Sequence, residues 1–160
     1  MSRMRKQSVE CYAVILLATI ATALIFALPA SAAGPVNPEA VLQQTNEFRL
    51  ENGLGPLAEN DSLDTAAMIR AKEAAALRSH TRPNGEPYYT AVSSEIVISA
   101  QQYIGENLAG GSYTSDTVVS AWIQSEGHRE NLLDPLFTQI GVGYYVSDNG
   151  TIYWCQLFAA

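Results

Sequence analysis

The chain of 160 residues contains two histidines, and both lie in short, polar, turn-rich motifs. His80 sits in Ser79-His80-Thr81-Arg82-Pro83-Asn84-Gly85 and His128 in Trp122-Ile123-Gln124-Ser125-Glu126-Gly127-His128-Arg129-Glu130-Asn131-Leu132. Between them, Gly105-Glu106-Asn107-Leu108-Ala109 places a carboxylate beside a glycine. Two imidazoles and a carboxylate brought together by folding can bind a divalent metal such as zinc with coordination positions left open. They can also exchange protons with a bound molecule. A third use is structural, with Glu106 accepting hydrogen bonds from both rings and tying the segments together, since a buried unpaired polar group costs about 1–3 kcal/mol. Spacing does not decide among these, because the three groups are far apart in the chain and no His-Glu-x-x-His helix is present. The catalytic candidates are therefore His80, Glu106, His128 and Ser125, the last as a nucleophile near His128 without a Gly-x-Ser-x-Gly elbow.

Neighbouring residues support these groups. Asn107 is expected to bond backbone in a loop, and Asn131 to support the turn after His128. Arg82 and Arg129 closely follow the histidines and are expected to pair with carboxylates or to meet an anionic ligand. Tyr88 and Tyr89 lie in an irregular stretch near His80, where they can rim a cleft. Trp122 and Trp154 read as core, given their apolar neighbours at helical and strand spacing.

Three helices and a hairpin position these residues. The first helix opens with Asn37 as cap, Pro38 in the first turn and Glu39 at the positive end of the dipole. Val41, Leu42, Thr45 and Phe48 form its inner face, and Asn52-Gly53 ends it. A second helix, capped by Asn60 or Asp61, carries an apolar stripe of Leu63, Ala66, Ala67, Ala74 and Leu77, with Arg70, Lys72, Glu73 and Arg78 expected to face water. Its many alanines permit close packing, and His80 follows its C-terminal end. A third helix starts near Thr114 or Ser115, with Val118, Val119, Trp122 and Ile123 on one face. Gly127 is expected to end it, so that His128 follows a helix as His80 does. Residues 81–104 are the least readable part: Tyr88 to Val92 fits a short helix or a strand, and Glu95 to Ile98 has β-branched character without a decisive period. Ile140, Val142, Tyr144 and Val146 alternate with small or polar neighbours, and Asp148-Asn149-Gly150 supplies a tight turn into a return strand from Thr151 to Phe158. Helices followed by a hairpin indicate an α+β fold.

The N-terminus reads as a targeting segment. Arg3, Arg5 and Lys6 precede an apolar run from Cys11 to Leu28, Pro29 breaks it, and Ala30-Ser31-Ala32 has the small-residue pattern of a processing site. Residues 1–32 are expected to be a signal peptide cleaved before Ala33, with an uncleaved membrane anchor as the alternative. Residues 33–160 then suit one domain with one core, secreted or held at the cell surface. The net charge is −7, and loss of the basic leader makes the remainder more acidic. Such a field repels phosphate backbones, which excludes nucleic acid as an expected partner. Membrane contact is expected only through an uncleaved N-terminal segment. After processing Cys155 is the single cysteine, so no internal disulfide can form. It is expected to be a buried small hydrophobe on one strand face with Tyr153 and Leu157.

Five motifs in order carry a resemblance: Ser79-His80, Gly105-Glu106-Asn107-Leu108, Trp122-x-x-Ser125-x-Gly127-His128-Arg129-x-Asn131, Gly141-Val142-Gly143-Tyr144-Tyr145, and Tyr153-Trp154-x-Gln156-Leu157-Phe158. Together, across Val36 to Phe158, they resemble the CAP superfamily (cysteine-rich secretory proteins, antigen 5 and pathogenesis-related proteins) in its short bacterial SCP-like form. The resemblance implies a three-layer α-β-α sandwich, a central antiparallel sheet covered by helices on both faces. It also implies a shallow cleft of two histidines and two acids that in some members binds a divalent metal. Carried over, His80 and His128 are the metal-binding histidines and Glu106 the nearby acid, with Asn107, Arg129 and Asn131 as cleft support. The second acid falls at Ser125, and a side chain one step away at Glu126 is turned by about 100°. The expected function is a monomeric, extracellular domain whose cleft binds a metal and a small ligand, lipid or cell-envelope component. A metal-assisted hydrolase of peptide or peptidoglycan and a structural domain with a vestigial cleft are the alternatives.

Overall fold

A computed structural model describes residues 36–100 and 103–160 of the chain. Residues 1–30 and 31–160 form separate units, and the fold below is that of the second. The expected leader and its processing site lie outside the described residues.

Among the described residues, five α-helices and four strands follow one another as α1 (Pro38–Glu51), β1 (Ala58–Glu59), α2 (Asp61–Ala76), a 3-10 turn (Tyr88–Ala91), α3 (Ser94–Ser99), β2 (Ile104–Gly111), α4 (Ser115–Gln124), α5 (Glu126–Leu133), β3 (Gln139–Val146) and β4 (Ile152–Ala159). The sheet order is β1-β3-β4-β2. It is antiparallel except for the two-residue β1, which runs parallel to β3.

Alternation along the strands sends side chains to two apolar layers. Trp154 and Phe158 of β4 pack with Val41 of α1, Trp122 of α4 and Leu132 of α5 on one face. Cys155 and Leu157 of the same strand pack with Leu63, Ala67 and Ala71 of α2 on the other. Helices thus cover both faces, and the α-β-α sandwich is the observed architecture.

The helix boundaries have local causes. Asn37 caps α1 by accepting from the Ala40 N–H, and Asn60 caps α2 by accepting from the N–H groups of Ser62 and Leu63. The expected third helix is two. Ser125 adopts an extended conformation (φ −99°, ψ 121°) that breaks it, and Gly127 and His128 lie inside α5 instead of beyond the end of α4. Residues 88–91 take the helical alternative as a 3-10 turn, and the β-branched stretch after them is helical in α3.

Glycine sets the distance between α2 and the sheet. A Cβ on Gly141 would lie 2.1 Å from the Leu63 carbonyl carbon, and one on Gly143 would lie 2.2 Å from that of Ala67. The helix backbone therefore rests on the β3 backbone, and no side-chain rotation can make room. Gly143→Ala is expected to cost about 3 kcal/mol, the upper end of the overpacking range, read as a lower urea midpoint at unchanged slope. Unchanged stability would mean that α2 does not seat on β3.

Candidate functional site

The site forms along β2, an edge strand of the sheet. Successive residues of β2 serve opposite faces: Glu106 points to the α2 side and Asn107 to the side of α1, α4 and α5. Asn107 was expected in a loop. The strand is poor in β-forming residues, and two of its three glycines have a packing reason. A Cβ on Gly105 would meet the Phe137 ring at 2.7 Å, and one on Gly110 would meet the Tyr153 ring at 2.8 Å.

On the α2 side, Glu106 is fully buried and its two oxygens are engaged. Arg70 Nε donates to Oε2 at 2.7 Å, and Arg70 Nη2 reaches Oε1 at 3.3 Å. His80 Nδ1 lies 2.8 Å from Oε1. The Cys155 thiol approaches Oε2 at 3.8 Å, and burial, followed by the carboxylate, pushes its pKa up. Arg70 continues outward, donating to Glu73 Oε2 and to the Ser79 carbonyl, each at 2.6 Å. Arg82 meets the far side of Glu73 at 2.7 Å, so it pairs with a carboxylate as expected.

Arg70 corrects the expectation that it faces water: its side chain has no exposed area. The corrected reading was available from spacing. Ala66, Ala67, Ala71 and Ala74 put position 70 inside the apolar stripe at i+3 and i+4, where a guanidinium must find anions. The helix end differs too, since Leu77, expected in the stripe, is 45% exposed.

On the opposite face a second polar network holds His128. Asn107 Nδ2 donates to the His128 carbonyl and to Gln156 Oε1, both at 3.2 Å. Asn131 Nδ2 donates to Asn107 Oδ1 at 2.9 Å and to the Glu106 carbonyl at 3.1 Å. Gln156 in turn donates to the Thr45 hydroxyl at 2.7 Å. Asn107 thus bonds backbone, as expected, but from a strand, and Asn131 acts from within α5 to join that helix to β2. Gln156 and Thr45, both fully buried, were not recognised as part of this network. Their signal was a polar residue on the inner face of an otherwise apolar strand or helix.

The two imidazoles differ in charge behaviour. The hydrogen bond to Glu106 raises the His80 pKa above 6.5, outweighing partial burial. Burial, and then the nearby charge of His80, lowers that of His128. The two imidazoles are thus displaced in opposite directions, His80 toward the charged and His128 toward the neutral form. For stability the signs are opposite as well. The contribution of His80 is complete below about 6.5, the unfolded value, and is lost as pH rises through its raised folded pKa. That of His128 is complete above the unfolded value and is lost as pH falls through its depressed one. The advantage of wild type over His80→Gln is therefore expected to shrink from pH 5.5 to pH 8, measured by urea unfolding at each pH. A constant difference would contradict the His80–Glu106 pairing.

A cavity of about 380 Å³ lies beside His80, lined also by Tyr88, Tyr103, Glu106, Asn131 and Asp134. Tyr88 stands edge-on to His80, and Tyr103 donates to Asp134 at 2.7 Å. Tyr89 is exposed beside Tyr88. His128 and Ser125 line a neighbouring pocket with Trp122. Trp122 and Trp154 are 1% and 0% exposed, in accord with their reading as core, as is Cys155. Arg129 is exposed on α5 and lines a shallow depression with Leu133 and Pro135. Glu126 is exposed at the start of the same helix.

The cysteine-rich secretory protein (CAP) family model matches residues 42–158. The chain belongs to the CAP family. It is 38% identical over 121 residues to the protein YkwD of Bacillus subtilis, a match covering 74% of this chain and 45% of that one. The CAP domain thus spans under half the length of that relative. An extracellular protein of Bacillus anthracis containing an SCP domain superposes with a TM-score of 0.63 at 25% identity, over 79% of this chain and 45% of the other. An outer surface protein of Borrelia burgdorferi shares the fold, with a TM-score of 0.64 at 23% identity, over 76% of this chain and 90% of its own. The sandwich and the family assignment agree.

Proposed function

We propose that this CAP domain is a secreted or cell-surface binding module whose cleft takes a small polar ligand, such as a fragment of the cell envelope, at His80. The extracellular and outer-surface descriptions of the structural relatives support the location. The observation that carries the ligand reading is the buried Arg70–Glu106–His80 chain. It commits Nδ1 of a 59% exposed imidazole to a buried carboxylate, which leaves Nε2 as the group available to a ligand. A rigidly held donor or acceptor beside a cavity is what ligand orientation needs.

A resident metal fits this arrangement poorly. Zinc in catalytic sites takes three protein ligands, and Glu106 is already neutralised by Arg70 and His80. No cluster of three metal-binding side chains occurs among the described residues. The domain is therefore expected to show no tight saturable zinc binding at neutral pH.

Binding of solubilised cell-envelope fragments, followed through the imidazole resonances, tests the proposal. Saturable shifts at His80 and at the adjacent Tyr88 ring are expected without turnover, the Tyr88 shifts being lost in His80→Ala and the affinity falling at least several-fold in Glu106→Gln. Hydrolysis of peptidoglycan or casein that vanishes in both His80→Ala and His128→Ala, with folding intact, would replace binding by catalysis as the function.

A further inference from the structure

The outer edge of β2 is closed by side chains at three positions. Tyr88 donates to the Ile104 carbonyl at 2.5 Å, Asn131 to that of Glu106 at 3.1 Å and Arg78 to that of Gly110 at 3.2 Å. In an antiparallel pair the backbone groups of alternate residues point away from the partner strand, so Leu108 shares this outward phase. Among the described residues no side chain or loop meets the Leu108 N–H or carbonyl. An unpaired edge of this kind is a template for another strand.

Leu108, at this gap in the edge, lines a pocket of about 280 Å³ together with Arg78, Trp122, Ser125 and His128. No acidic side chain lines it, although the chain as a whole carries −7. Arg78 is exposed and spends one guanidinium nitrogen on Gly110, which leaves donors for a carboxylate. The indole N–H of Trp122 is buried and has no acceptor among the described residues.

We propose that this gap binds the C-terminal end of an extended peptide. The peptide backbone pairs with the N–H and carbonyl of Leu108, and its terminal carboxylate meets Arg78. From Leu108 to Gly110 a strand advances about 6.6 Å at ~3.3 Å per residue, so the last two residues of the peptide span the distance. Main-chain pairing supplies the affinity common to strand addition, and the charge-assisted contact fixes the terminus. This site is separate from the His80 cavity and does not rest on the ligand reading given for it.

The test uses three probes titrated into the 15N-labelled protein: acetyl-Ala-Ala with a free carboxylate, its C-terminal amide, and the free acid methylated at the inner amide nitrogen. Saturable shifts at Leu108, Ala109, Gly110 and the Trp122 indole are expected with the free acid. Its affinity should fall at least tenfold on amidation, on N-methylation and in Arg78→Gln, and should be unchanged in His80→Ala. Equal binding of acid and amide, or no saturable shift at Leu108, would overturn the proposal. Shifts confined to His80 and Tyr88 would overturn it while supporting the His80 ligand reading.

Discussion

Arg70→Met is expected to destabilise the domain by about 3–5 kcal/mol, the range for removing one partner of a buried ion pair. Arg70 and Glu106 have no exposed side-chain area, so water cannot take the place of the guanidinium. The substitution also orphans the Ser79 carbonyl, which Arg70 holds at 2.6 Å in the segment leading to His80. Arg70→Lys should recover part of the loss only, because an ammonium cannot present two edges to Glu106 and Glu73 together. The double variant Arg70→Met/Glu106→Gln should be less destabilised than the two single losses added together, by about 1–3 kcal/mol, the coupling of directly bonded residues. Urea unfolding of the four proteins reads this cycle. Additive losses would mean that the pair does not act as a unit.

Arg49→Met should cost a similar amount for a different reason. Arg49 is 2% exposed, and its guanidinium donates to carbonyls of Gly55 at 3.0 Å, Leu132 at 2.9 Å, Asp134 at 3.0 Å and Phe137 at 3.4 Å. Burial lowers its pKa, and the negative charge of Asp134 opposes that effect. Each buried carbonyl left unpaired costs about 1–3 kcal/mol, so a loss of about 3 kcal/mol or more is expected even if some carbonyls reach water. The segment from Leu132 to Phe137 also borders the His80 cavity, since Asp134 and Phe137 line it. Weaker unfolding resistance should therefore be accompanied by shifted Tyr103 and Phe137 ring resonances. A stable variant with undisturbed rings would show that those carbonyls have other partners.

His80, His128, Glu106, Asn107 and Asn131 stand out in the sequence because they are polar groups embedded in short motifs, whereas Arg129, expected to support the same cleft, is exposed and lines a separate depression. The hairpin was legible from strict alternation and Asp148-Asn149-Gly150. The strand that carries Glu106 was not. Ile104–Gly111 contains three glycines and an asparagine, residues depleted in strands, and its conformation is set by β4 along its whole length and by rings lying over Gly105 and Gly110. Tertiary contact overrides propensity there. Arg70 was misplaced because charge was weighed above helical position, when the alanines around it marked a buried face. The break at Ser125 was placed two residues late, at Gly127, because glycine is the commoner stop signal. The short helix 94–99 was hidden by β-branched residues.

The central claim is that Arg70 and Glu106 fix His80 with its Nδ1 committed and its Nε2 free. Long-range 1H–15N spectra of both imidazoles across pH 5–9 test it directly. The expected result is a His80 that keeps its proton on Nδ1 when neutral and titrates above the ordinary histidine value, with His128 titrating below it. A neutral His80 protonated on Nε2, or two histidines titrating together at the ordinary value, would contradict the account.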